Sequence, residues 1–199
     1  MAEITAKDVK ALRDRTGIGM MDAKGALQEA GGDMEKAVEI ARIKGADKGA
    51  KLSDREATEG VVASYIHSTG KLGVLVEVNC NTDFVARNQD FREFAQEVAL
   101  HIAALGPDYV HEDEIPEDWR AKELAIFEEQ AADKPENVRP KIAEGKMRKR
   151  LEEVVLLHQE HVNAEKHGGK TIEQLRTDLS AKTGENVVIR RFERFQVGA

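Results

Sequence analysis

Between Leu72 and Cys80 the chain alternates with a period of two. Leu72, Val74, Val76, Val78 and Cys80 fall on one face, and Leu75, Glu77 and Asn79 on the other. A strand presents successive side chains to opposite faces, so this run reads as a strand with one apolar side. A second apolar run, Val61 to Ile66, opens at Gly60. Ser68-Thr69-Gly70-Lys71 separates the two runs and has the chemistry of a turn. Together they predict an antiparallel hairpin. Beyond it, Phe91, Phe94, Ala95, Val98, Ile102 and Leu105 recur at helical spacing. That pattern predicts a helix packed on the hairpin and ended by Gly106-Pro107.

Strand and helix meet at Cys80-Asn81-Thr82-Asp83-Phe84-Val85-Ala86-Arg87. A large apolar side chain, Phe84, stands beside an acid, Asp83, at a corner, and corners present residues to partners. Local pattern alone favours a plainer assignment. Thr82 or Asp83 caps the helix by accepting a bond from an orphan N–H. Phe84 lies seven residues before Phe91 and continues the same apolar stripe. A regular helix starting at Asp90 instead frees the phase of Phe84 from that stripe.

The 199 residues suffice for one domain or two small ones, and 41% apolar with 34% charged residues suits a soluble, helix-rich protein. No apolar run reaches the length of a membrane span, and the N-terminus shows no leader pattern. A cytoplasmic location is therefore expected. The single cysteine, Cys80, has no intramolecular partner and reads as a small buried apolar residue. A net charge of −7 argues against general nucleic-acid binding, which needs positive surface. Two local basic clusters, Lys146/Arg148/Lys149/Arg150 and Arg190/Arg191/Arg194, read first as solvated faces.

Residues 4 to 45 predict three short helices. Thr5 and Asp8 resemble a capping box, and Val9 and Leu12 face inward. Gly17-Ile18-Gly19 turns the chain into a second helix with Ala23 and Leu27 inside. Asp33 caps the third, whose stripe is Met34, Ala37, Val38 and Ala41 and whose stop is Gly45. Met20 and Met21 point about 100° apart, and periodicity favours placing both in the small core. Residues 46 to 59 read as a charged, partly helical linker, and 60 to 199 as the core domain. Pro116 and Pro135 each open a helix, with a break at Pro140 in the second. Thr171 with Gln174 caps a further helix, and Val187 to Val197 forms a closing strand that changes parity between Phe192 and Phe195.

Catalytic patterns are incomplete. Lys170-Thr171 follows Gly168-Gly169, but a phosphate loop needs glycine where Ala164 stands. His158 and His161, with His167 nearby, match neither protease nor zinc-finger spacing, so no metal is expected. Gly17-Ile18-Gly19 lacks the strand and third glycine of a dinucleotide loop. The chain offers interaction surfaces, no catalytic constellation and no cofactor site.

Several stretches together resemble the translation elongation factor Ts family. They are Leu12-Arg13-Asp14-Arg15-Thr16-Gly17-Ile18-Gly19-Met20-Met21-Asp22-Ala23-Lys24, Glu77 through Arg87, Lys134-Pro135-Glu136-Asn137, Glu144-Gly145-Lys146-Met147 and Arg190 through Phe195. The resemblance implies an α+β fold: an N-terminal three-helix, ubiquitin-associated-like module, then a core of a small antiparallel sheet packed with helices. It implies nucleotide exchange on elongation factor Tu, with no covalent chemistry. By the same resemblance Thr82, Asp83, Phe84 and Val85 enter the GTPase near the support of its magnesium site. Arg13, Met20 and Met21 touch it near the nucleotide, and Arg87 stands where lysine is common. Many members carry two core halves, whereas this chain has room for one. A half core leaves sheet exposed, so a homodimer giving a 2:2 complex is expected. The competing class is a binding module or adaptor without exchange activity.

Overall fold

Thr5 and Asp8 close a reciprocal cap on the first helix, α1 (Ala6–Thr16). The Asp8 carboxylate accepts the Thr5 N–H at 2.9 Å, and the Thr5 hydroxyl oxygen accepts the Asp8 N–H at 3.3 Å. Gly17 ends α1 in the left-handed region, at φ 73°, with its N–H donated to the Arg13 carbonyl. Helix α2 (Met20–Glu29) follows, then α3 (Met34–Leu52), whose start is held by Asp33 accepting the Glu35 and Lys36 N–H groups. Val9, Leu12, Ala23, Ala26, Leu27, Ala37 and Ala41 form one buried cluster, with Ile18 packed against it. Four alanines in seven core positions let the three helices approach closely. This computed structural model describes residues 4–198, with 46–50 as backbone alone, so the ends of the expected N-terminal module and core lie outside the described residues.

The hairpin forms, with the expected residues of its second strand on the buried face. Strands β1 (Glu59–Ile66) and β2 (Leu72–Cys80) are joined by the His67 N–H donating to the Leu72 carbonyl. Val74, Val76, Val78 and Cys80 are buried, while Leu75 is exposed on the other face. Gly60 is required where it is: a Cβ there would lie 2.2 Å from the Val78 carbonyl oxygen. A short helix α4 (Asp83–Ala86) and a long helix α5 (Gln89–Leu105) follow. Then come α6 (Glu117–Gln130), α7 (Arg139–Val154), α8 (Ala164–His167), α9 (Ile172–Thr183) and β3 (Val188–Gln196). The sheet order is β1-β2-β3, and the Val197 N–H donates to Lys71 at the antiparallel β2–β3 end.

Four local expectations need correction. Gly45 does not stop the third helix, which continues to Leu52. Gly45 is buried within the helix, and a Cβ there would meet the Ala181 Cβ at an ordinary contact distance of 4.0 Å. Asn88, not Asp90, caps α5, its side-chain oxygen accepting the Asp90 N–H at 2.8 Å. Pro140 sits in the first turn of α7, where its missing N–H costs nothing, after a 3-10 turn at Glu136–Val138. In β3 the change of face comes earlier than expected: Ile189 is buried, Arg190 and Arg191 are both exposed, and Phe192 and Arg194 are half-buried.

Internal packing divides the chain into two compact units. The first comprises Met1–Val62, Glu77–Ala95 and Gln174–Ile189, and the second Ala63–Val76, Gln96–Glu173 and Arg190–Ala199. In the second unit α6 and α7 pack as a helical pair, with Trp119 edge-on to Tyr109 and the Arg150 guanidinium 5.8 Å from the Trp119 ring centre.

His101, fully buried in α5, is locked neutral in that second unit. Its Nδ1 accepts the Val162 N–H at 3.0 Å, so the proton sits on Nε2, which donates to Gln159 Oε1 at 2.9 Å. Burial pushes its pKa down to about 4, the Gln159 bond opposing and the neighbouring His161 adding to the fall. The unfolded chain therefore binds this proton first, and stability falls as pH drops from the unfolded value near 6.5 towards 4. Urea titrations should show about 2 kcal/mol lost through this group between pH 7.5 and pH 5. His101→Gln, compared over the same interval, should lose correspondingly less. Equal pH dependence in the two proteins would contradict the assignment.

Candidate partner-binding surface

The corner after β2 is built by side chains more than a hundred positions away. The Glu185 carboxylate accepts the N–H groups of Asn81 and Thr82, each at 3.0 Å, and the Thr82 hydroxyl at 2.6 Å. Thr82 stands at the N-cap of α4 but makes no side-chain cap bond, because its hydroxyl is committed to Glu185. Asn81 Oδ1 accepts the Asn186 N–H at 2.8 Å, and Asn81 Nδ2 donates to the Glu56 carbonyl at 2.6 Å. Asn186 Nδ2 in turn donates to the Ser53 and Arg55 carbonyls, at 3.1 and 2.8 Å. Three loops are thus tied into one polar knot beneath the corner.

On that base α4 presents its side chains. Ala86 is buried, and Phe84, two residues earlier, lies about 200° round the helix. Phe84 is 81% exposed, so it does not belong to the α5 stripe. The break at Arg87-Asn88 uncouples the two helices, and Arg92 Nε secures the end of α4 by donating to the Ala86 carbonyl at 3.2 Å. Asp83 pairs with Arg87 across one turn at 3.0 Å, both partly exposed, and Val85 is half-buried. Cys80 lies under the corner with its Sγ donating to the Thr82 carbonyl. Burial, then the Glu185 charge, push its thiol up to about 11.

The other expected contact residues lie on the first two helices. Arg13 is exposed and beside Asp14 at 3.5 Å. Met20 and Met21 are 59% and 77% exposed, which overturns the expectation that both fill the core. Ile18 enters the core ahead of them, and Ala23, Ala26 and Leu27 complete the inward face of α2, so its first turn projects beyond the packed layer.

The basic clusters are partly occupied. Lys146 donates to Gln130 and Arg150 to Glu153, both within or beside the α6–α7 pair. Arg194 donates to Gln196 and lies over Gly106. In the second unit a separate group forms that sequence spacing did not predict. Glu97 of α5 faces His161 Nε2 at 3.4 Å and His167 Nε2 at 3.5 Å, and takes Lys166 on its other oxygen at 2.6 Å. Burial alone would raise the Glu97 pKa, but the Lys166 hydrogen bond and charge outweigh it and hold the carboxyl below its usual range. Burial, then His167, lower the His161 pKa. His158 stands apart, 3.7 Å from Glu112. Among the described residues no helix is long and apolar enough to cross a membrane.

Comparison with known proteins is consistent along the whole chain. The family model described as Elongation factor TS matches residues 39–168, which include the corner. The chain is 52% identical to Elongation factor Ts of Anaeromyxobacter sp. (strain Fw109-5) over 200 residues, covering 100% of this chain and 90% of the relative. It is 49% identical to Elongation factor Ts of Syntrophobacter fumaroxidans (strain DSM 10017 / MPOB) over 199 residues, covering 99% and 98%. Elongation factor Ts of Desulforamulus reducens is 50% identical, with 100% and 91% covered. The chain spans 90%, 91% and 98% of the Anaeromyxobacter, Desulforamulus and Syntrophobacter relatives. With a family match over more than half of its residues and about half of all positions identical in relatives covered to 90% or more, the chain belongs to the elongation factor Ts family.

Proposed function

We propose that this protein is a guanine-nucleotide exchange factor for elongation factor Tu, working in the cytoplasm and without covalent chemistry of its own. The observation that carries this reading is Phe84, a large apolar side chain held 81% exposed on a corner that Glu185 fixes from below. An unpartnered phenylalanine on a rigid base suits insertion into another protein.

Exchange is a linkage effect. The factor must bind the GTPase better without nucleotide than with it, and the nucleotide must weaken the factor reciprocally. A thousandfold effect needs about 4 kcal/mol. Burying Phe84 supplies roughly 1.5–3 kcal/mol, so it drives much of the effect but not all. In this mechanism Phe84 enters an apolar slot and displaces the support of the magnesium site. Asp83 then bonds a group freed there. Its present pair with Arg87 is an exposed turn-to-turn ion pair worth only about 0.3–0.5 kcal/mol, so exchanging that partner costs little. Thr82 and Val85 flank the contact. Residues 1–45 act as a module that brings Arg13, Met20 and Met21 to the base and ribose side, with exposed methionine as an adaptable contact. The test is stopped-flow release of a fluorescent GDP analogue from elongation factor Tu. Strong acceleration by the protein supports exchange, and binding without acceleration assigns an adaptor role instead.

A second part of the proposal is a homodimer engaging two GTPases. Ile66, Leu75, Phe195 and Val197 are exposed and line one apolar groove at the end of the sheet. Sedimentation velocity at micromolar concentration should show a dimer, and Phe195→Asp should weaken it at least tenfold. A compact wild-type monomer with full exchange activity would rule the dimer out.

A further inference from the structure

We propose that Glu97, His161 and His167 form a binding site for one zinc ion. The site lies within the second unit and is independent of the exchange reading. It departs from the sequence expectation of no metal because Glu97, the ligand that completes the set, is more than sixty positions away in the chain. The three residues each offer a ligand atom, and these atoms all lie within 4.8 Å of one another.

The distances fit the ion. Zinc bonded at about 2.0–2.1 Å in a tetrahedron places neighbouring ligand atoms about 3.3–3.4 Å apart. Glu97 Oε2 lies 3.4 Å from His161 Nε2 and 3.5 Å from His167 Nε2. Both imidazole nitrogens are shielded from solvent and have no hydrogen-bond partner. Buried polar atoms are nearly always satisfied, so two orphaned nitrogens within 3.5 Å of one carboxylate oxygen are an anomaly. One cation between them satisfies all three atoms. Two histidines and a carboxylate, with a fourth position left for water, suit a borderline-soft divalent ion. His167 and Glu97 keep 17% and 24% of their side chains exposed, which opens one side to solvent.

The surroundings are preorganised. Lys166 holds Glu97 Oε1 and leaves Oε2 for the ion. The His161 N–H donates to the Lys170 carbonyl at 3.0 Å, and Asn163 caps the short helix that carries His167. One contact must change. His161 Nδ1 now accepts the Asn163 N–H at 3.1 Å, whereas ligation through Nε2 puts the proton on Nδ1. The Asn163 amide must therefore release the ring as zinc enters, and this gives the site its own spectroscopic signature.

The experiment uses the full chain, stripped with a chelator and dialysed, titrated with zinc by calorimetry and by amide NMR. The expected result is one zinc per chain with micromolar or tighter affinity. The amides around 161–167 should shift, Asn163 most of all. Cobalt should give the intense visible absorption of a tetrahedral site. His167→Gln, a change at a partly exposed position that should leave the fold intact by NMR, should weaken zinc at least tenfold. Absence of saturable binding below about 100 µM would overturn the site, as would unchanged affinity in folded His167→Gln. Zinc bound with the Asn163 amide unmoved would overturn it too.

Discussion

Replacing Phe84 by alanine is expected to slow nucleotide release from elongation factor Tu by about 10- to 150-fold while leaving the protein's own stability within about 0.5 kcal/mol. The asymmetry follows from exposure. A side chain that is 81% exposed contributes little packing to the folded chain, so its removal costs little there. In the complex the same ring is to be buried, and losing 1.5–3 kcal/mol corresponds to roughly 10- to 150-fold. Stopped-flow release at saturating factor separates the two stages. A variant that binds more weakly but, once bound, releases nucleotide at the wild-type rate would show that Phe84 anchors and does not wedge.

Glu185→Ala is expected to be the most damaging single change at the corner, destabilising the chain by about 3–5 kcal/mol. Its carboxylate accepts three hydrogen bonds, two of them from backbone N–H groups. Charge-assisted bonds contribute about 1.5–3 kcal/mol each, and the partners left behind are partly buried donors. Glu185→Gln can keep one carbonyl oxygen on both N–H groups and donate its NH2 to the Thr82 hydroxyl, losing only the charge, so it should fall between alanine and wild type. Urea denaturation orders the three proteins. A loss below about 1 kcal/mol for the alanine variant would mean that water replaces the carboxylate and that the knot is not what holds the corner. Neither variant touches Phe84, so exchange should fall with the order of the corner while Phe84 remains present.

The regular part of the fold was legible because it rests on short-range periodicity. The β2 alternation, the Thr5–Asp8 cap and the Asp33 cap each involve residues within a few positions, and each appears as expected. The orientation of Phe84 was ambiguous because two phases compete. What decides it is Ala86, the small inward residue two positions on, and the Asn88 cap that starts a new helix. Glu185 and Asn186 were invisible because nothing near them in sequence signals that their acceptors and donors reach Asn81 and Thr82. The exposure of Met20 and Met21 was missed for a different reason. Helical phase tells which side a residue lies on, not whether the neighbouring layer extends far enough to cover it. The Glu97–His161–His167 group required the chain to return on itself, which residue spacing alone does not encode.

The polar knot also has a consequence in time. Asn81 and Thr82 are bonded to a residue 103 to 104 positions later, and Asn186 closes onto Ser53 and Arg55 across still longer loops. Such contacts form late, since the long loop must close before they can act. During synthesis the segment carrying Phe84 leaves the ribosome well before Glu185 exists. Nascent chains therefore carry Phe84 before the residues that fix its corner have been made, and the exposed ring is aimed only once the chain is nearly complete.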